Sequence, residues 1–305
     1  MKDTSFSLKM TRIKICHAGR LQGKMHSVHS IETWATGKHL KGIGLSGINL
    51  CREGSVDLQG KVCLVTGGTS GIGAATAQKL AARGAHIVTA SRKGLSRAYP
   101  ELLSVAEKYD TTIQFLEVDV ANPAECRTCI DQIIKDYGRI DVLVHSAGGA
   151  VPGGLDEITE EAWMNAFAVH VHSIFHLTRA VSPHMAKQGE GAIVLLGSAA
   201  GLRGCLGALA YGVVKGTLPQ FARSLARELA DKRIRVNCVS PGIIRTPFQD
   251  FLTLEQTRNN IENRIPLHME GKPEDVANLI VTLVENDFIT GENFVIDGGM
   301  TMRIV

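Results

Sequence analysis

From about residue 57 the chain alternates short apolar runs with longer stretches whose apolar positions recur at helical spacing. The short runs predict strands at 61–66, 85–90, 111–118, 140–145, 192–196, 235–239 and 294–296. The longer stretches predict helices at 72–83, 97–109, 122–137, 159–187, 211–231 and 273–285. Asn122 and Pro123 read as cap and first turn of the third helix. Most of the strand runs are apolar throughout rather than alternating, as strands buried on both faces are. Strand followed by helix at this spacing predicts βαβ units. The expected fold class is α/β: one domain over 57–305, a doubly wound parallel sheet of about seven strands with helices on both faces.

Residues 1–56 break that pattern. They show no sustained period and no capped helix, and through residue 54 they carry nine Lys or Arg against three Asp or Glu. A basic, disordered N-terminal extension is expected there, with a later start at Met10 or Met25, or an organellar transit segment, as alternatives. The extension changes the meaning of the +3 formal charge, because residues 55–305 hold 24 bases and 27 acids. The folded part therefore offers no basic surface, and nucleic acid is not an expected partner. With 44% hydrophobic residues the chain can bury a large core, yet no apolar run approaches a membrane span, so no membrane partner is expected either. Seven scattered cysteines, an odd number, fit reduced thiols in a cytoplasmic compartment. Cys126 and Cys129 form C-x-x-C, but Ile130, Ile133 and Ile134 continue the same apolar stripe. Both read as helix-face residues, and no second pair completes a zinc site.

The first strand-to-helix turn reads Thr66-Gly67-Gly68-Thr69-Ser70-Gly71-Ile72-Gly73. Glycines there let the backbone turn tightly and approach a pyrophosphate, which then meets the free N–H groups of the helix start. After the second strand, where an acid would bond a ribose 2′-hydroxyl, stand Ser91, Arg92 and Lys93. A guanidinium in place of a carboxylate favours NADP(H), with NAD(H) as the other possibility. Tyr211 and Lys215 lie four residues apart on one helical face. A free phenol has a pKa of about 10, and a nearby ammonium favours its ionised form, so such a tyrosine can exchange protons. Thirteen residues upstream, Ser198 ends an apolar strand and can bond a substrate oxygen that gains charge.

In this order the motifs resemble the short-chain dehydrogenase/reductases, in the single-domain subgroup of about 250 residues. The likeness runs from Asp57 to about Met300 and includes Asp119-Val120, Ser240-Pro241-Gly242, Ile289-Thr290-Gly291 and Asp297-Gly298-Gly299. It implies a Rossmann-type NAD(P)-binding catalytic domain that interconverts a ketone and a secondary alcohol by hydride transfer. By that likeness Tyr211 is the general acid or base, Lys215 tunes it and holds the nicotinamide ribose, and Ser198 polarises the carbonyl. Cofactor contacts are implied at Gly67, Thr69, Ser70, Gly71, Ile72, Gly73, Ser91, Arg92, Asp119, Val120, Ser146, Ala147, Gly148, Pro241, Gly242, Ile244 and Thr246. Residues 249–264 correspond to a substrate lid, and helices 159–187 and 211–231 to those that pair in homodimers and homotetramers.

Two positions depart from the family pattern. His145-Ser146-Ala147-Gly148 stands where N-N-A-G is usual, and His170 stands where a catalytic Asn is usual. His170 is therefore either a fourth catalytic member or a packed helix histidine. These changes motivate an alternative, a dinucleotide-binding regulatory or scaffold homologue with reduced catalysis, which the complete Ser198/Tyr211/Lys215 set opposes. His172 and His176 lack the intervening Glu of a zinc protease, so no metal is expected. A nucleotide-sugar epimerase is disfavoured, since the longer related chains add a C-terminal substrate domain. Leu202, Cys205, Leu206, Leu209, Phe248 and Phe251 suggest a partly apolar pocket for a small carbonyl or alcohol substrate.

Overall fold

β1 (Val62–Thr66) is buried at every position, and its successive side chains go to opposite sides of the sheet. Val62 and Leu64 enter one apolar cluster, Cys63 and Val65 a second. That division fixes the layering of the molecule. Structure is described here for residues 55–92, 99–250 and 252–302 of a computed structural model. Residues 1–54 of the expected extension 1–56, Lys93 and Phe251 lie outside the described residues.

The elements follow as α1 (Gly71–Ala81), β2 (His86–Ser91), α2 (Tyr99–Lys108), β3 (Ile113–Glu117), α3 (Pro123–Tyr137) and β4 (Val142–His145). Then come α4 (Glu160–Phe167), α5 (Ser173–Gln188), β5 (Gly191–Leu196), α6 (Leu209–Leu229) and β6 (Ile234–Pro241). α7 (Leu254–Asn259), α8 (Pro273–Glu285) and β7 (Asn293–Ile296) complete the order. All seven strands are parallel, in the order β3-β2-β1-β4-β5-β6-β7. α1, α2 and α8 cover one face around Leu80, Leu102 and Ile280; α3, α5 and α6 cover the other around Ile133, Leu177 and Leu218. The doubly wound Rossmann-type sheet expected from the sequence is therefore present. Chain direction across the sheet reverses between β1 and β4, and a crevice opens at the carboxyl ends of those strands.

Three helices differ from the sequence reading. The stretch 159–187 is not one regular helix: a π turn at Ala168–His172 separates α4 from α5. Such a turn inserts one residue without disturbing the apolar period enough to reveal itself in sequence. α6 begins at Leu209 rather than Tyr211, so Tyr211 sits inside its first turn. α7 was not predicted, because six largely polar residues carry no apolar stripe; its one signal is the capping box between Thr253 and Gln256. At the N-terminal side, Val56 already belongs to the fold, its N–H donating to the Glu285 carbonyl at 2.6 Å.

Cys126 and Cys129 lie buried on α3, as the helix-face reading requires. Burial pushes their thiols up to about 11 and about 12, well away from reactive thiolate. The last sequence motifs are structural. Thr290 Oγ1 accepts from the Val236 N–H at 3.0 Å, and the Gly291 N–H donates to the Val236 carbonyl at 2.7 Å, tying the start of β7 to β6.

The turn between β1 and α1 is held by backbone contact. A Cβ on Gly73 would lie 2.2 Å from the Gly67 carbonyl oxygen, a distance no side chain can adopt. Gly73→Ala is expected to displace the turn and destabilise the protein by about 1–3 kcal/mol, as overpacked sites do. Urea unfolding of the two proteins measures it; an unchanged midpoint would contradict the close packing.

Candidate active site

The crevice begins with the glycine turn. Gly67 has φ +66°, and a Cβ there would come within 3.0 Å of the Ala147 backbone. Its N–H donates to the Ala90 carbonyl at 2.8 Å, which draws the turn over the end of β2. Gly71, at φ +50°, opens α1 behind Ser70, whose extended backbone makes it the N-cap although its hydroxyl makes no cap bond. No acid stands in the first turn of α1, so its unpaired N–H groups and positive helix end favour an anion. This cradle of small residues, which a Cβ at Gly67 or Gly71 would fill, fits the pyrophosphate of a dinucleotide.

Beyond the cradle, Thr69 Oγ1 lies 3.4 Å from Ser91 Oγ at the end of β2, and Arg92 follows it, exposed. Asp119 Oδ1 accepts from the Ala121 N–H at 3.0 Å, forming the turn that leads into α3. The Val120 side chain is buried in the core with Val118 and Cys126, not in the crevice.

Ser198, Tyr211 and Lys215 meet because of one close backbone approach. Ser198 is the extended N-cap of a short turn, Ala199–Gly201, and its Oγ accepts from the Ala200 N–H at 3.1 Å. A Cβ on Gly201 would stand 2.5 Å from the Gly216 nitrogen. The turn carrying Ser198 thus rests directly on α6 beside Lys215. The Lys215 ammonium donates to the Leu196 carbonyl at 2.6 Å and lies 5.9 Å from the centre of the Tyr211 ring.

Burial governs the charges here. It brings Lys215 down to about 8, leaving it mostly protonated at pH 7. It pushes the Tyr211 phenol above its ordinary value, with a hydrogen bond to Ser198 acting in the opposite direction. The expected depression of Tyr211 by Lys215 is not the leading influence in this state. The ammonium is directed at Leu196, and removal from water dominates the phenol.

The two unusual histidines are both buried, each 2% exposed. His145 is linked at both ring nitrogens. Thr66 Oγ1 accepts from the Ala147 N–H at 3.1 Å, so its proton goes to His145 Nδ1 at 3.0 Å. His145 Nε2 then donates to Ser173 Oγ at 3.1 Å, and Ser173 donates to the Val169 carbonyl at 2.6 Å. Every member of this relay is satisfied only if the imidazole is neutral with its proton on Nε2. His170, on the π turn, faces the Tyr211 ring edge-on at 5.9 Å and bonds the Gly149 carbonyl. Its Nδ1 has no partner among the described residues. Desolvation first, then the Lys215 charge, brings both rings down to about 3.

One cavity of about 440 Å³ gathers most of the predicted residues: Gly67, Ser70, Gly71, Ile72, Ser146, Gly148, His170, Ser198, Tyr211, Lys215, Pro241, Gly242, Ile244 and Thr246. Thr69, Gly73, Ser91, Arg92, Asp119, Val120 and Ala147 do not line it. Of the expected apolar walls, Cys205 and Phe248 are present, whereas Leu202, Leu206 and Leu209 are not. Leu206 is fully exposed, on a loop whose apolar residues give no periodic cue to their direction. Sequence reasoning missed Val151, Pro152 and Met300; Leu252, Asn260 and Arg264 belong to the segment 249–264 expected as a substrate lid, but were not singled out in it. It also missed the role of His145; its pairing with Ser173 across 28 residues was the available signal. No cluster of three His, Cys, Asp or Glu able to hold a metal occurs among the described residues.

Comparison with known proteins agrees with this geometry. A family model described as Enoyl-(Acyl carrier protein) reductase matches residues 67–301. The 3-oxoacyl-(acyl-carrier-protein) reductase FabG of Thermotoga maritima is 36% identical over 249 residues, 80% of this chain and 99% of that protein. Dehydrogenase/reductase SDR family member 4 of Mus musculus is 34% identical over 251 residues, 81% of this chain and 89% of its own. Among solved structures, L-sorbose reductase from Gluconobacter frateurii, complexed with NADPH and L-sorbose, superposes with a TM-score of 0.75 at 29% identity. That match covers 82% of this chain and 100% of that one.

The two neutral histidines make stability depend on pH. Both titrate lower in the fold than the ordinary 6.5, so below that pH the unfolded chain binds more protons than the folded one. Their contribution is complete above about pH 6.5 and is lost as the pH falls toward 3, by about 1.4 kcal/mol per pH unit for each ring. Lys215, protonated in both states below about 8, adds no slope there. Unfolding free energy measured at pH 7 and pH 5 is expected to drop, and to drop less in His170→Asn. Equal slopes in the two proteins would contradict a buried neutral His170.

Proposed function

The chain belongs to the short-chain dehydrogenase/reductase family of NAD(P)-dependent oxidoreductases, and from that premise we propose that it interconverts a ketone and a secondary alcohol with NADP(H) as the preferred cofactor. The observation that carries this reading is the meeting of Ser198, Tyr211 and Lys215 in one cavity with the glycine cradle. The same convergence opposes the reading as a non-catalytic binding protein.

When bound, the nicotinamide supplies or accepts the hydride at the substrate carbon. The cradle from Gly67 to Ile72 would hold the pyrophosphate, and Ser146 to Gly148 with Pro241, Gly242, Ile244 and Thr246 the remainder of the dinucleotide. Ser91 and Arg92 would meet the adenosine ribose, and Asp119 with the main chain of Val120, whose side chain is in the core, the adenine. In reduction, Ser198 donates a hydrogen bond to the carbonyl oxygen and holds it against Tyr211. The phenol, protonated at pH 7 as any tyrosine is and raised further by burial, gives its proton to that oxygen as negative charge develops there. The Lys215 ammonium stabilises the phenolate that remains. In oxidation the same groups act in reverse, with the phenolate as base. His170 serves as a neutral positioning residue that packs on Gly148 and Tyr211.

Several further features belong to the same proposal. The catalytic domain is residues 57–305 and works in the cytoplasm; among the described residues, no helix is long and apolar enough to cross a membrane. The chain acts as a homodimer or homotetramer through α4, α5 and α6, whose exposed Met164, Phe175 and Val213 give apolar area for pairing.

Tyr211→Phe is expected to lower turnover at least 100-fold with NADPH binding retained, the range for loss of a general acid. In the intact protein, alcohol oxidation should rise toward alkaline pH as the phenol ionises. Undiminished activity of the variant on a ketone panel would overturn the assignment. For the cofactor, NADPH is expected to bind at least tenfold more tightly than NADH, and Arg92→Ala to reduce that ratio, each tenfold being about 1.4 kcal/mol. Fluorescence titration with both dinucleotides reads it; equal affinities would refute the preference.

A further inference from the structure

The cavity has an unbalanced charge. Among the described residues, its charged lining residues are Lys215 and Arg264, and no Asp or Glu of them reaches its wall. The histidine that lines it is neutral near pH 7. Lys215 lies deep in the cavity, among the residues assigned to catalysis and cofactor. Arg264 stands elsewhere, on the wall built by the α7 segment together with Gln249, Leu252 and Met300.

Arg264 is exposed, yet its guanidinium is tethered to the turn it ends. It ends the π turn Asn260–Arg264, and its Nη1 donates to Asn260 Oδ1 at 2.9 Å. Asn260 is 5% exposed and the following Ile265 is 1% exposed, so both ends of the turn are anchored in the fold. One N–H of the guanidinium is thereby used, and Arg264 lines the cavity while remaining exposed. Arg264 makes no ion pair among the described residues. The contrast is Arg245, on the same connection between β6 and α8, which pairs with Glu270 at 2.7 Å. A cation fixed in a substrate-facing wall without a protein anion is complementary to an anion brought by the ligand, and a guanidinium suits a planar or tetrahedral oxyanion.

We infer that the substrate carries an oxyanion, carboxylate or phosphate, remote from its carbonyl, and that Arg264 receives it; this rests on the carbonyl-reduction reading above. The carbonyl is held by Ser198 and Tyr211 while Arg264, steadied by Asn260, fixes the far end. Arg264 is then a specificity-determining residue, with Asn260 as its positioning residue.

The test uses the full chain with NADPH and matched substrate pairs. One set pairs keto acids of increasing length with their methyl esters; another pairs keto phosphates with the corresponding keto alcohols. The expected result is a KM for the charged member at least about tenfold below its neutral partner in one set, which identifies the oxyanion. Arg264→Gln should bring that ratio to within about twofold, Arg264→Lys should keep part of it, and added salt should shrink it. Equal KM values within every wild-type pair would overturn the inference. So would an Arg264→Gln effect equal on both members, or one seen chiefly as weaker NADPH binding. If no pair is turned over at all, the carbonyl-reduction reading fails by itself. Calorimetric titration of the NADPH-bound protein with the same pairs then decides the role of Arg264. Tighter binding of the charged member, lost in Arg264→Gln, supports it, and equal or absent binding of both members overturns it.

Discussion

The buried relay from the Ala147 N–H through Thr66, His145 and Ser173 to the Val169 carbonyl is the interaction on which the site most depends. It joins three pieces of chain far apart in sequence: the end of β1 with its glycine turn, the end of β4 with the Ser146–Gly148 loop, and the π turn that carries His170. Each link lies between 2.6 and 3.1 Å, and each donor has one acceptor. In a low-dielectric interior such a chain is all-or-none. Removal of one member leaves its neighbours desolvated and unpaired, at a cost of about 1–3 kcal/mol per group. The crevice at the reversal point of the sheet is thus fastened from below.

That fastening also decides the electrostatics. A relay that needs His145 neutral forbids a second buried cation close to Lys215, and His170 obeys the same constraint. Lys215 remains as the deep positive charge of the site, satisfied in part by a backbone carbonyl rather than by a carboxylate. A carboxylate partner would neutralise it and weaken its hold on a developing phenolate. A carbonyl dipole anchors the ammonium and leaves its charge available. Burial raises the phenol above its ordinary value, and in the proposed reduction stabilising its conjugate base falls to the lysine and Ser198.

How much of this was legible in the sequence depends on range. Strands buried on both faces, helices of three turns or more, and the Thr66–Gly73 turn are local patterns, and they appear where expected. Tyr211 and Lys215 share a helical turn, so their proximity was also local. What could not be read depends on contacts across the fold. The π turn at Ala168–His172 leaves the apolar period nearly intact while resetting the register of α5. His145 looked like an altered motif residue until Ser173 stood opposite it. α7 is too short and polar to announce itself. Leu206 and Arg264 show the same failure from two sides: an apolar residue read as pocket wall points to solvent, and a charged one not distinguished within the expected lid 249–264 lines the cavity.

The close backbone contacts explain why the unpredicted residues cluster where they do. Gly67 against Ala147, Gly73 against Gly67, and Gly201 against Gly216 fix the cradle and the Ser198–Tyr211–Lys215 group with no side chain between the backbones. Positions built this way admit few substitutions, so they retain a form that a motif can describe. The wall between Pro247 and Arg264 is built from residues of a 3-10 turn, Leu252 and a π turn, with α7 linking them. Side-chain walls can change shape and charge without moving the backbone of the catalytic group. Chemistry is accordingly written in the rigid half of the cavity, where sequence motifs carry it. In the proposed reaction substrate choice belongs to the adaptable half, where the tethered cation Arg264 has to be read from structure.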